Sequence, residues 1–140
     1  MRRFTAHYLI VPALFALTST ACGDNLSTTT PTEPTPPATT DTFPGAINPN
    51  GGATHTFATA RSGSVTVTLS TLSPDNTLTV GLSLGTWNGE SCQTVIARDT
   101  TKMGDSIVGT ASAAGNFCIR VYDVGKLAAS TSYEVKVDHP

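Results

Sequence analysis

Charge is scarce in this chain. Only 13% of its 140 residues are Asp, Glu, Lys or Arg, about half the usual quarter. The 8 Lys and Arg are outnumbered by 10 Asp and Glu, and the basic residues form no patch. This excludes the electrostatic footprint of a nucleic-acid binder and a polybasic hold on an acidic membrane surface. Histidine is limited to His7, His55 and His139, too few and too dispersed to converge on zinc, which needs three or four ligands. No G-x-S-x-G elbow presents a serine nucleophile. Glu90 and Glu134 stand alone, so no carboxylate pair is spaced for glycoside chemistry. No C-x-x-C motif marks a redox pair. No apolar run reaches the roughly 20 residues that cross a bilayer. On these grounds no enzymatic activity is expected.

What is present begins with an export signal. Arg2 and Arg3 are followed by the apolar run Tyr8 to Leu17 and then by small residues, Thr18 to Ala21. This is the layout of a secretory signal peptide. Around Ala21-Cys22-Gly23 the segment resembles a bacterial lipoprotein signal, with Ser19 where that pattern usually has Leu. The resemblance implies cleavage after residue 21 and lipid on Cys22. Two or more acyl chains, at ~0.8 kcal/mol per buried methylene, give a stable anchor. The expected location is then the bacterial cell envelope, at the outer membrane or cell surface. The other reading is ordinary secretion, because Ser19-Thr20-Ala21 also fits a small-x-small cleavage site. Cys22 would then be a free thiol. The chain has three cysteines, an awkward number for an exported protein. If Cys22 carries lipid, Cys92 and Cys118 remain as one pair. Loss of Arg2 and Arg3 with the signal leaves 8 − 2 = 6 basic against 10 acidic residues, a net charge of −4.

Residues 22–42 form the next segment. Thr28-Thr29-Thr30-Pro31-Thr32-Glu33-Pro34-Thr35-Pro36-Pro37 has no hydrophobic period and cannot offset the entropy of ordering. Proline biases such a stretch toward extended polyproline II, at ~3.1 Å per residue. A disordered tether is expected here, with a reach on the order of 60 Å over roughly 20 residues.

From Phe43 to Pro140 the period becomes two. Val65 to Ser70, Leu78 to Leu84, Phe117 to Tyr122 and Tyr133 to Asp138 each alternate apolar and polar residues, as strands with one buried face do. Asn50-Gly51-Gly52, Ser73-Pro74-Asp75-Asn76, Asn88-Gly89 and Ala114-Gly115-Asn116 supply the turns. Further strands are expected near Phe43–Ile47, Thr54–Thr59, Gln93–Arg98 and Ser106–Ala111. About eight closely spaced strands without a helix predict an all-β antiparallel sandwich or jelly roll. The predicted inner face comprises Phe57, Val65, Val67, Leu69, Leu78, Val80, Leu82, Leu84, Val95, Phe117, Ile119, Val121, Tyr133, Val135 and Val137.

Phe43-x-Gly45, Gly51-Gly52, His55-x-Phe57, Gly63-x-Val65-x-Val67-x-Leu69 and Gly115-Asn116-Phe117-Cys118-Ile119-Arg120-Val121-Tyr122 together resemble the bacterial pre-peptidase C-terminal (PPC) domain. The resemblance spans residues 43–140. It implies a small β-sandwich that serves as an accessory module for secretion, attachment or substrate binding. No peptidase or other catalytic domain accompanies it in this chain.

Few residues carry specific expectations. Cys92 and Cys118 are expected to form a structural disulfide, on an outer sheet face or at its edge because Phe117 and Ile119 point inward. Asp75, Asn76, Asp99, Asp105 and Asp123 could offer calcium its oxygen ligands, but no D-x-D-x-D-G loop is present and Asp and Asn also simply make turns. Trp87, in Gly85-Thr86-Trp87-Asn88-Gly89-Glu90, either offers a ligand a platform or folds over the disulfide. A non-catalytic module binding extracellular polysaccharide or an envelope protein is the leading expectation. A small hydrolase on a jelly-roll scaffold and an assembly subunit pairing through a sheet edge are the alternatives.

Overall fold

Alternation of apolar and polar residues gives each strand one face to bury, and two such faces bury each other. In the computed structural model, which describes residues 37–140, eight strands do this: β1 (Thr39–Ile47), β2 (Gly52–Thr59), β3 (Gly63–Ser73), β4 (Val80–Trp87), β5 (Cys92–Thr101), β6 (Ser106–Ala111), β7 (Gly115–Tyr122) and β8 (Thr131–His139). They form two four-stranded antiparallel sheets, ordered β1-β8-β3-β6 and β2-β7-β4-β5. The β4–β5 hairpin alone stays within one sheet; the other connections change sheets. This is the jelly-roll arrangement of an all-β sandwich. Thr39 to Thr42, assigned from the sequence to the tether, are already strand and pair with Lys136 to His139. Cys22 and the first part of the tether lie outside the described residues.

Val65, Val67 and Leu69 of β3 and, beside them in the same sheet, Val135 and Val137 of β8 share one core with Leu82 and Leu84 of β4 and Ile119 and Val121 of β7 from the other sheet. Leu78 precedes β4 and packs against that core at its margin. One expected core residue does not belong there. Val95 is 72% exposed. The register of β5 on β4 shifts between Leu84, opposite Ile96, and Gly85, opposite Thr94. Val95 is the extra residue of a β-bulge, so strict alternation fails at that point. Ile96 takes the inward position instead and packs against the core.

The disulfide joins Cys92 to Cys118. Cys118 lies on the outer face of β7, yet it is fully buried. Its partner is not on the neighbouring strand, because β4 runs between β7 and β5. The crossing is possible because Gly85 lies opposite Cys118 and has no side chain. A Cβ at Gly85 would sit 2.1 Å from the carbonyl oxygen of Gln93 and 2.9 Å from the Thr94 Cα. The start of β5 therefore lies directly on β4, and the Cys92 and Cys118 Cα atoms come within 5.7 Å. Farther along, Tyr122 of β7 repeats the crossing. Its ring covers Gly81, where a Cβ would be 2.1 Å away, and its hydroxyl donates a hydrogen bond to Asp99 of β5. The Arg120 guanidinium lies 5.7 Å from the Tyr122 ring centroid, in range for a cation–π contact.

Register also fixes which elements share an end of the sandwich. Thr39 lies opposite His139, Thr59 opposite Gly115 and Thr86 opposite Phe117. The Ala60 N–H donates to the Pro140 carbonyl at 3.3 Å, and the Arg61 guanidinium donates to the Pro37 carbonyl at 3.0 Å. The start of β1 and the β4–β5 hairpin thus occupy one end.

Two stability tests follow from the crossing. The bridge closes a sequence separation of 26, which stabilises the domain by about 3–4 kcal/mol on the chain-entropy model. Reduction should lower the melting temperature by ten degrees or more, since ~1 kcal/mol moves a domain of this size by roughly 4–8 °C. Gly85→Ala places a methyl group against main-chain atoms. Overpacking of this kind costs about 1–3 kcal/mol, so this variant should also melt several degrees lower. Unchanged melting of Gly85→Ala would show that β5 does not lie on β4.

Candidate functional site

The hairpin between β4 and β5 is built by one side chain. Asn88 Oδ1 accepts hydrogen bonds from the N–H groups of Glu90 at 2.9 Å and Ser91 at 2.8 Å. Gly89 takes a φ of +102°, a region that favours glycine. The Asn-Gly signal in the sequence is therefore a turn with a side-chain lock. Trp87 precedes it. The sequence suggests a loop position for this residue; the structure places it as the last residue of β4, opposite Cys92. A strand can end in tryptophan here because outward positions at this end are not bound by the core alternation.

Trp87 shares the outer face with Gly85, and hence with Cys118 and Asn116 of β7 and Thr56 of β2. The ring is partly exposed, whereas Asn116 and Thr56 are exposed. Together with Phe57, Asn88 and Gly89 they line an open depression of about 490 Å³. None of these residues is charged. The sequence singles out Trp87 alone, because Thr56 and Asn116 are two of many polar residues at alternate strand positions. Only the register of three strands brings them beside the indole. Both earlier readings of Trp87 remain compatible with its place, since it is next to Cys92 and also lines the depression.

His55 is a structural residue. It lies opposite Ile119 on the inward side of β2. Its Nε2 is 2.8 Å from the Tyr133 hydroxyl, and its ring stacks on Phe43 with centroids 5.2 Å apart. Tyr133 belongs to the other sheet, so this hydrogen bond ties the two sheets at the β1/β2 side. Burial pushes the His55 imidazole below its ordinary value and the Tyr133 phenol above its own. His139 stands one strand end away, 95% buried by its 5% exposure. Its Nε2 lies 3.2 Å from Asp41 Oδ2.

The carboxylates considered for calcium are engaged separately. Asp75 accepts from the Thr77 hydroxyl and N–H, and these bonds hold its carboxyl below the usual range. Asp123 accepts from the N–H groups of Asn50, Lys126 and Leu127. The Asn50 bond is the main cause that depresses its titration. Asp105 accepts from the Lys102 N–H. Asp99 receives the Tyr122 hydroxyl, whose pKa is pushed up to about 12, by burial first and then by the Asp99 bond and charge. Each is a turn or bridge residue. Among the described residues no three His, Cys, Asp or Glu side chains gather as a metal site.

A second cavity, of about 140 Å³, opens between the sheets at the β5/β6 side, where Val65, Leu84, Ile96 and Phe117 are reached past Gly109. No protein-family model matches the chain, and no curated protein matches it at a significant level.

Folding of the domain should depend on pH through His55. Unfolded, the imidazole takes a proton near pH 6.5; folded, it does so only at lower pH. The unfolded state thus binds more protons as the pH falls below ~6.5. The contribution of neutral His55 is complete above that value and is lost as the pH falls through the folded value. The melting temperature should drop between pH 7 and 5, and His55→Gln should flatten that part of the profile. An identical slope in His55→Gln would assign the dependence elsewhere.

Proposed function

We propose that the chain is an exported lipoprotein, held through lipid on Cys22 to a bacterial cell envelope. Its jelly roll is a non-catalytic binding or structural module for an extracellular polysaccharide or an envelope protein. The observation that carries this reading is the Cys92–Cys118 bridge. A structural disulfide fits an oxidising compartment outside the cytosol. It also uses two of the three cysteines and leaves Cys22, at the end of the export signal, without an intramolecular partner. The resemblance to PPC domains supports an accessory role for the folded part.

The alternatives have less support. A hydrolase would need a free general base, and His55 is turned toward Tyr133 and Phe43. Pairing through a sheet edge would need a regular, open strand. Of the edge strands, β1 contains Pro44, β6 has six residues and the register of β5 shifts at two places, which leaves β2, in unbroken register with β7 over its eight residues, as the one edge open to such pairing.

The anchor is tested by fractionating cells that express Cys22→Ser. The variant should leave the membrane fraction and escape lipid-dependent processing. Membrane association equal to that of the unaltered chain would overturn the lipoprotein reading.

A further inference from the structure

We infer that the depression beside Trp87 is a binding site for a neutral glycan, with the indole as the stacking platform and Asn116 and Thr56 as its polar partners. This inference rests on the reading of the domain as a binding module and assigns its site and ligand class.

The chemistry of the surface selects the ligand. Trp87 offers an aromatic face that is partly exposed at the end of β4. An amide at Asn116 and a hydroxyl at Thr56 stand on the same sheet face. Such a surface suits a partner that is apolar on one side and carries hydroxyl groups around its rim, as a sugar ring does. The lining contains no charged side chain, so a ligand charge would find no partner. Glu90, exposed in the adjoining hairpin, disfavours anionic chains further. The volume of about 490 Å³ lies within the range of small-ligand sites.

A peptide is less well served. An extended peptide binds by adding to a sheet edge. The depression lies across β4, β7 and β2, where the main chains of β4 and β7 are paired on both sides, and of its lining strands only β2 has a free edge. The large exposed apolar side chains that would extend a protein interface, Val95, Met103 and Val108, are not among its lining. The platform is also rigid. Trp87 is followed by a hairpin locked through Asn88 and is opposite a cysteine held by the disulfide. A fixed aromatic loses little freedom on binding.

Trp87 is the single tryptophan of the chain, so its fluorescence reports on this site alone. The test uses the exported chain with Cys22→Ser, titrated with hexamers of cellulose, amylose, laminarin and chitin and with hexagalacturonate as the acidic comparison. At least one neutral series should bind and shift the tryptophan emission, while hexagalacturonate should not. Trp87→Ala should weaken binding about thirtyfold or more, as hot-spot truncations do. Asn116→Ala, a change at an exposed position, should weaken it several-fold with unaltered melting. If Trp87→Ala melts early, Trp87→Phe and Asn116→Ala carry the comparison. A neutral glycan that binds without moving the emission, and equally to all variants, would overturn this site while leaving a glycan-binding module. If no neutral series binds and crosslinking through Trp87 instead yields an envelope protein, the ligand class is overturned and the binding module stands. If neither a glycan nor an envelope protein binds, both fail.

Discussion

The crossing of β4 by contacts from β7 to β5 is the constraint on which the second sheet depends. Antiparallel strands lie about 4.8 Å apart, so side chains two strands away do not normally meet. Here they meet twice, above Gly85 through the disulfide and above Gly81 through Tyr122 and Asp99. The intervening outward residue, Ser83, is buried, and its hydroxyl has no hydrogen-bond partner among the described residues. Small residues on one face of β4 thus let an edge strand be held by the strand beyond its neighbour. The face opposite these glycines is Leu82 and Leu84, which belong to the core. A single strand therefore carries the packing of both sides.

This arrangement bears on what the domain can do. β5 is an edge strand with little buried side-chain area of its own, its inward contacts limited mainly to Ile96 and Thr101. Without the two bridges it would rely on main-chain pairing that is interrupted at two bulges. Held down, it keeps the β4–β5 hairpin and Trp87 in a fixed position. The same end of the sandwich receives the chain at Thr39. At the opposite seam, His55 and Tyr133 tie the sheets by a hydrogen bond.

Much of this was legible in the residues. Alternation of Val65, Val67 and Leu69, and of Tyr133, Val135 and Val137, determined strands and their buried faces, because a period of two leaves a strand no other way to hide its apolar side. The number of strands and their all-β class followed from the same pattern and from the turn residues between them. The sequence alone also determined the outward direction of Cys118, flanked by two core residues. It also determined the low charge of the chain.

Tertiary structure decided the rest. Alternation cannot show a bulge, so Val95 and Ile96 exchanged roles only once β5 was laid against β4. Gly81 and Gly85 look like ordinary strand glycines until the residues above them are known. Burial of Cys118, the partner of Tyr122 and the contacts of His55 with Tyr133 and Phe43 all depend on which strands lie side by side, and neighbours in this fold are mostly distant in the chain. The surface around Trp87 has the same origin. Trp87, Asn116 and Thr56 come from three strands, and no local pattern relates them. Local periodicity specifies which face of a strand is wet or dry; only the register between strands specifies what stands beside what.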